Sequence, residues 1–259
     1  MKYHIDTIPV WDSMKLDGEC LLCALHRRTE LGEVEHYLGA SVMEPDTRIR
    51  VNRKGFCSNH QRMLYGMDNR LGHALMLESH VAETRERLEK ILKGIRKSAK
   101  SAASASLKDR VTGKAPSAAK IMENAAAELE ALTQTCVVCD SINDNMNRYL
   151  HTFFHLYQND SEFRKRFQTS KGLCTCHAAQ LLRLAPHEIS GRDILDFADV
   201  ICNLQTEAFD RIQEDISWFI KKFDYRYYDA PWKNSRDAVD RTVNKLRGWC
   251  VGPEPNPKD

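Results

Sequence analysis

The stretch KGLCTCH (residues 171–177) repeats the pattern of an earlier stretch, KGFCSNH (residues 54–60). Both read Lys-Gly-apolar-Cys-x-x-His. A C-x2-C pair precedes each of them, in GECLLCAL (18–25) and in QTCVVCDS (134–141). Each half of the chain therefore carries its own set of four ligand-type residues. The sets are Cys20, Cys23, Cys57 and His60 in the first half, and Cys136, Cys139, Cys174 and His177 in the second.

The two halves are related by a nearly constant offset. The C-x2-C pairs lie 116 residues apart and the C-x2-H pairs lie 117 residues apart. RIRV (48–51) matches RKRF (164–167) at the first offset, and Leu64 matches Leu181 at the second. We interpret the halves as a tandem duplication with one residue inserted shortly before the second Lys-Gly.

The spacing of these residues is typical of a closed zinc site. A Cys and a His three residues apart on the first turn of a helix lie on one face, and Gly55 and Gly172 relax the backbone before that turn. A helix N-terminus also favours a thiolate through its free N–H groups. Three thiolates and one imidazole suit Zn²⁺ and leave it no open position. We predict two structural zinc ions per chain, each bound by the set of one half and each joining separate helices.

Two other kinds of chemistry fit parts of the pattern. A C-x2-C pair at a helix start is also the arrangement of redox-active thiols, so a thiol-based redox protein or sensor is an alternative. The repeated His60 and His177 favour metal, because a redox dithiol has no need of them. Iron–sulfur ligation is less favoured, since the spacings match no common cluster motif. Cys176, opposite Asn59 in the first half, is an incidental thiol, a spare ligand or a resolving thiol that senses oxidation.

Apolar spacing along the chain is helical almost throughout. It predicts long helices over residues 74–95 and 194–223 and a shorter one over 121–132. TRIRVN (47–52) is the one short stretch that alternates like a strand. The predicted fold is mainly α, with long antiparallel helices built from two tandem repeats, each closed by a Cys3His metal site. Cys202 is expected in the core.

The predicted segments follow the repeats. A short helix is expected from about Ser235 to Leu246, ended by Gly248. The aromatic residues of 223–232 are expected to pack against the long helix, although a ligand pocket there stays open. In chain order the segments are the first repeat with its long helix (1–96), a Ser/Ala/Lys-rich linker (97–120), the second repeat (121–190), the long C-terminal helix with the aromatic segment and the short helix (191–248), and a disordered tail (249–259).

Composition is that of an ordinary globular protein and selects no partner. The 259 residues are 42 % hydrophobic and 29 % charged, with a net charge of +2. No apolar run reaches the ~18–20 residues that cross a bilayer, and the charged N-terminus is unlike a signal peptide. We therefore expect a cytoplasmic protein without a membrane contact. Nine cysteines in such a protein point to metal binding or redox work rather than to disulfides.

The sequence offers no catalytic constellation. P-loop, GxGxxG, HExxH and GxSxG motifs are all missing, and His151 and His155 are best interpreted as partly buried helix residues. Residues 84–120 hold eleven Lys or Arg against three acids, but no aromatic residues for base stacking. Nucleic-acid binding there is thus an alternative. We favour a non-enzymatic interaction or regulatory module with protein partners.

Several stretches resemble an uncharacterised family of bacterial domain-of-unknown-function proteins. They are the duplicated C-x2-C and K-G-F-C-x2-H motifs, the opening YHIDTIPVWDSMKLDGECLLC (3–23), YLGASVMEPDTRIRVNRKGFC (37–57) and the closing FDYRYYDAPWKNSRDAVDRTVNKLRG (223–248). The likeness spans almost the whole chain. It supports the architecture and implies no particular activity or substrate.

Overall fold

The backbone is helical, as its apolar spacing predicts. The computed structural model describes residues 4–104 and 117–253, and within them there are eleven α-helices and no β-strand. The helices are α1 His4–Lys15, α2 Leu21–Leu38, α3 Pro45–Lys54, α4 Ser58–Gly66, α5 Arg70–Ser104, α6 Ala118–Ala131, α7 Val137–Asn159, α8 Ser161–Gln168, α9 Thr175–Glu188, α10 Arg192–Lys221 and α11 Ala238–Arg247, with short 3-10 helices at Ala40–Met43 and Tyr225–Tyr227.

The chain divides into two compact units whose boundaries differ from those of the predicted repeats. The discontinuous unit combines Met1–Thr29 with Asp144–Asp259, and the continuous unit is Glu30–Asn143. The predicted segments place their boundaries elsewhere, and that division stays a prediction. Residues 105–116 of the predicted linker and 254–259 of the predicted tail lie outside the described residues.

An aromatic cluster forms the core of the discontinuous unit. The Phe153 ring lies 5.0 Å from the Phe167 ring and 5.5 Å from the Phe163 ring, measured between centroids. Such edge-on pairs add to the free energy of apolar burial. The long helix α10 contributes one buried stripe, which consists of Phe197, Ile201, Leu204, Ala208 and Ile212. This stripe confirms the helix predicted from residues 194–223.

Cys202 is exposed rather than buried, so its predicted place in the core is wrong. It follows Ile201 directly, and one residue turns a helix by about 100°. Its thiol therefore points away from the buried stripe of α10.

In the continuous unit, α3 packs against the long helix α5. TRIRVN lies inside α3 and is not a strand. Pro45 occupies the first turn, where a missing N–H costs nothing. Thr47 and Val51, four residues apart, are the buried residues of α3, because that spacing places them on one helical face. Helix α5 confirms the helix predicted over residues 74–95.

The C-terminal helix α11 starts later than predicted and ends as predicted. Ser235 is held in a turn by its hydroxyl, which donates to Trp232 O at 2.7 Å, and the helix begins at Ala238. Gly248 ends it with φ of 87°, a conformation that favours glycine. In the aromatic segment, Trp232 packs against Phe219 of α10 at 5.9 Å.

Candidate metal centres

The structure gathers all eight predicted ligands into two groups, but it exchanges their partners. Within each group the ligand atoms all lie within 4.8 Å of one another. The predicted grouping by halves is therefore wrong, because each C-x2-C pair meets the C-x2-H pair of the other half. Site 1 consists of Cys20, Cys23, Cys174 and His177, all in the discontinuous unit, and site 2 of Cys57, His60, Cys136 and Cys139, all in the continuous unit.

The local structure around each pair is as the sequence predicts. Cys57 and Cys174 are the N-cap residues of α4 and α9, so His60 and His177 fall in the first turn. The glycines before them, at positions 55 and 172, have φ of 63° and 82°. Such values are strained for any residue with a Cβ. The Lys-Gly motif thus bends the chain so that Cys and His point to one side.

The ligand atoms of site 1 have the spacing of a tetrahedron. Bond lengths of about 2.3 Å for Zn–S and 2.0–2.1 Å for Zn–N place S and S about 3.8 Å apart, and S and N about 3.6 Å apart. The Sγ atoms of Cys23 and Cys174 are 3.6 Å apart. The distances from His177 Nδ1 are 3.4 Å to Cys20 Sγ, 3.3 Å to Cys23 Sγ and 3.2 Å to Cys174 Sγ.

Site 2 has the same geometry. The Sγ atoms of Cys57 and Cys139 are 3.8 Å apart. His60 Nδ1 lies 3.2 Å from Cys57 Sγ, 3.3 Å from Cys136 Sγ and 3.5 Å from Cys139 Sγ. Both groups therefore fit one four-coordinate ion with three sulfur ligands and an imidazole bound through Nδ1.

The charges at site 2 favour a thiolate at Cys136 beside an imidazolium at His60. Burial raises the pKa of the Cys136 thiol, but hydrogen bonds from His60 and the backbone outweigh it and lower that pKa to about 6. Burial lowers the pKa of His60, but bonds to Cys136 and Glu30 raise it to about 10. Burial and the charge of Cys136 raise the pKa of the Cys139 thiol. A thiolate at Cys139 therefore needs a compensating cation.

Site 1 shows the same division among its thiols. Burial raises the pKa of Cys20, but hydrogen bonds from Cys174 and Cys23 lower it well below its ordinary value. For Cys23, hydrogen bonds with Cys174 and Cys20 and burial all raise the pKa. A thiolate thus forms readily at Cys20, and a dication would stabilise a second one at Cys23.

The C-terminal segment covers site 1. Trp249 N donates to Cys23 Sγ at 3.3 Å. A Cβ at Gly248 would lie 3.8 Å from Cys23 Sγ and 3.9 Å from Cys174 Sγ. The guanidinium of Arg27 in turn lies 4.8 Å from the centroid of the Trp249 ring. Three ligands of site 1 are buried and His177 is half-buried.

A buried lysine joins the two ligand loops of site 1. Lys245 of α11 is fully buried, and its Nζ donates to Glu19 O at 2.7 Å and to Lys171 O at 2.8 Å. It also pairs with Glu19 Oε2 at 3.1 Å, and Arg211 pairs with the same carboxylate. Burial raises the pKa of Glu19, but Arg211 and Lys245 outweigh it and lower that pKa. Sequence reasoning missed this network; its one signal was the place of Glu19 next to Cys20.

At site 2 the ligand loops contact each other directly. Thr135 Oγ1 donates to Lys54 O at 2.7 Å, and Val137 N donates to Gly55 O at 3.0 Å. Glu30 Oε1 lies 3.3 Å from His60 Nε2, as in sites where a carboxylate orients a metal-bound histidine. Cys57 and Cys139 are both half-buried.

The remaining candidate residues join neither group. His151 is exposed and its Nδ1 lies 2.7 Å from Glu188 Oε1, so its partly buried position was predicted wrongly; His155 is half-buried. Cys176 is exposed beside site 1, with its Sγ 3.7 Å from Arg247 O. Cys250 is also exposed.

Comparison with known proteins identifies the family. Residues 1–253 match a family of unknown function, DUF6062. The chain belongs to this family. No curated protein and no solved structure matches it. In the described residues, no helix is both long and apolar enough to cross a membrane. Membership of DUF6062 thus agrees with the resemblance seen in the motifs and assigns no activity.

Proposed function

We propose that this DUF6062 protein binds one Zn²⁺ at each Cys3His group and that both ions are structural. The observation that supports this is the tetrahedral spacing of four protein ligand atoms in each group. Four protein ligands leave no place for water or substrate on the ion, as in structural zinc sites. Each ion would join helix starts that are far apart in sequence.

The role that fits two closed sites in a helical chain is a cytoplasmic, non-enzymatic interaction or regulatory module with protein partners. The order of elements supports an origin by tandem duplication. In both halves a helix follows the C-x2-C pair (α2, α7), another begins at the C-x2-H pair (α4, α9), and a long helix comes next (α5, α10).

Metal analysis of the purified protein tests the proposal. We expect two zinc ions per chain that persist without reductant. Cys139→Ser should remove one ion and lower the thermal unfolding temperature, since structural zinc contributes on the order of 10 kcal/mol in small domains. Cys250→Ser is the matched control and should change neither. Equal stability of the two variants, or a metal-free wild type, would contradict a structural role.

A thiol-based redox sensor is the second candidate, and site 2 is the place for it. Cys57 and Cys139 are half-buried and their Sγ atoms lie 3.8 Å apart. With hydrogen peroxide as oxidant, the two thiols would give up two electrons and two protons to form a disulfide, and the peroxide would be reduced to two molecules of water. This function would be favoured if peroxide released one zinc ion and lowered the mass of the protein by ~2 Da, with the change located at Cys57 and Cys139.

A further inference from the structure

At site 2 the second nitrogen of the His60 ring has a partner that is shielded from water. Glu30 Oε1 lies 3.3 Å from His60 Nε2, and the two side chains are only 12 % and 4 % exposed. The same oxygen accepts a hydrogen bond from Asn59 Nδ2 at 3.2 Å. All three residues belong to the continuous unit. Because little water reaches this contact, a hydrogen bond between the ring and the carboxylate is stronger there than at the surface.

This contact determines which nitrogen of His60 is available to a metal. A neutral imidazole has one N–H group and one lone pair, and a carboxylate accepts hydrogen bonds but does not donate them. With Glu30 beside Nε2, the N–H lies on Nε2 and the lone pair on Nδ1. Nδ1 is the nitrogen that lies 3.2–3.5 Å from the three Sγ atoms of site 2. Glu30 therefore favours the tautomer in which His60 can act as the fourth ligand.

The carboxylate comes from a helix that carries no ligand of site 2. Glu30 lies on α2, whereas His60 lies in the first turn of α4 and the C-x2-C pair of site 2 lies at the start of α7. The ring of His60 is therefore held from outside the two loops that supply the ligands.

Site 1 has no equivalent contact in the described residues. His177 Nδ1 faces its three Sγ atoms at nearly the same distances as His60 does. Its Nε2 makes no hydrogen bond or ion pair with any residue of 4–104 or 117–253. Glu19, the carboxylate next to a ligand of site 1, pairs with Lys245 and Arg211 instead.

The amino-acid sequence explains this difference between the sites. At the offset of 116 residues between the two C-x2-C pairs, the position that matches Glu30 is Met146, which is buried and has no carboxylate. At the offset of 117 residues between the two C-x2-H pairs, Asn59 matches Cys176. Both members of the Glu30–Asn59 pair are thus replaced in the second half, although the ligands are the same.

We infer that Glu30 is a positioning residue of site 2, which fixes the orientation and the tautomer of His60 and thereby raises the affinity of this site for zinc. Loss of such a carboxylate typically costs about 10–100-fold in metal affinity. The inference rests on the proposed zinc binding. It adds that the two sites, with identical ligands, depend on different side chains around them.

Equilibrium competition with a chromogenic chelator measures the zinc affinity of the full-length protein. Glu30→Ala should weaken zinc binding at site 2 about 10–100-fold and leave site 1 unchanged. In Cys57→Ser, which lacks a ligand of site 2, adding Glu30→Ala should not change the affinity for the remaining ion. Glu35→Ala, at an exposed position of the same helix, is the matched control and should change neither affinity.

A second variant separates the charge of Glu30 from its hydrogen bond. Glu30→Gln keeps the size of the side chain and an oxygen that can accept from Nε2, but it removes the charge. We expect a loss of affinity at site 2 that is smaller than in Glu30→Ala. The Gln variant also carries the test if the Ala variant does not fold.

NMR of the imidazole nitrogens supplies a readout that a purely structural role for Glu30 would not change. In the zinc-loaded wild type, His60 should have a protonated Nε2 and a metal-bound Nδ1. The signal of the Nε2 proton should shift in Glu30→Ala, because its hydrogen bond to the carboxylate is lost.

The possible results distinguish this inference from the proposed function. If Glu30→Ala binds zinc at site 2 as tightly as the wild type does, or if the Nε2 proton signal of His60 does not change, the inference is wrong while the proposed zinc ions stand. An equal loss of affinity at both sites would also overturn the inference, since it would show a general loss of stability. A wild type that binds no zinc would overturn both.

Discussion

Site 1 and site 2 have the same ligands and nearly the same distances, yet their surroundings differ. At site 1 residues 248–249 lie over the sulfur atoms. Lys245 joins the two ligand loops there, and it also pairs with the buried carboxylate of Glu19. At site 2 the loops hydrogen-bond directly, and two of the three thiols are half-buried.

The difference indicates that the same ligand geometry can occur with sulfur atoms that are covered and with sulfur atoms that are more accessible. The four ligands and their helix starts set which ion fits. Access to an ion bound there would be set by what packs over the sulfurs. In this chain the covering elements are α11 and the segment after it, which have no counterpart at site 2 among the described residues.

The largest expected effect concerns the exchanged partners. Cys20→Ser with Cys174→Ser should remove one zinc ion, because both ligands belong to site 1. Cys20→Ser with Cys57→Ser should remove both ions. Native mass spectrometry after dialysis against a chelator gives the count. If each half instead bound its own ion, the two double variants would show the reverse result. Cys176→Ser with Cys250→Ser should keep two ions.

The next effect concerns the buried network at site 1. Lys245→Met removes one partner of a buried ion pair, which typically costs about 3–5 kcal/mol; since Arg211 still pairs with Glu19, we expect the low end of that range. Denaturant unfolding measures the loss, and zinc release from site 1 should accelerate while site 2 is unchanged. Arg226→Met breaks the exposed pair with Asp224 and should leave the midpoint unchanged. Equal effects of the two variants would contradict a special role for Lys245.

A smaller effect is expected in the rate of metal exchange. A chromogenic chelator should remove zinc in two phases, the faster from site 2, because two of its thiols are half-buried. Deleting residues 248–259 uncovers Cys23 and Cys174, and should bring the slow phase close to the fast one. Deleting 254–259 alone is the control and should preserve both phases. A single phase in the full-length chain would show that the covering segment does not limit exchange.

The smallest expected effect is the proton release at site 2. In Cys174→Ser, which should keep only site 2, His60 with a pKa of about 10 and Cys139 with a raised pKa are protonated at pH 8. Zinc must displace those protons, so its affinity should rise as the pH rises from about 6 towards 10. Below about 6, the pKa of Cys136, the affinity should fall more steeply. Calorimetry in buffers of different ionisation enthalpy measures the number of protons released. A binding enthalpy that does not depend on the buffer would contradict the coupling of zinc binding to proton release.

The exchange of partners could not be predicted from the motifs, because pairing within each half costs only slightly less loop-closure entropy than the observed pairing. Pairing within halves closes loops of 33 and 34 residues, whereas the observed pairing closes loops of 75 and 150. Loop-closure entropy grows only as (3/2)RT ln n, so the difference is about 2 kcal/mol in total. Helix packing easily exceeds that amount, and the motif spacing carries no information on it.

Properties that depend on neighbours in sequence were predicted well. Apolar spacing located α5 and α10, and the Lys-Gly-x-Cys-x-x-His motif located two helix starts with their Cys and His on one face. TRIRVN, the one short candidate for a strand, is helical because Pro45 and the four-residue spacing of Thr47 and Val51 favour a helix. The prediction that Cys202 is buried was wrong, because Cys202 directly follows the buried Ile201 and is rotated away from the stripe by one residue of the helix.

The sequence alone thus predicted the ligand types, the helix starts and the amphipathic faces, because these features depend on spacings of one to four residues. The pairing of C-x2-C with the distant C-x2-H, the burial of Lys245 against Glu19, and the cover over site 1 came from the tertiary structure. They join residues 74 to 226 positions apart. Over such distances, packing of whole helices outweighs the small entropic preference for nearby partners.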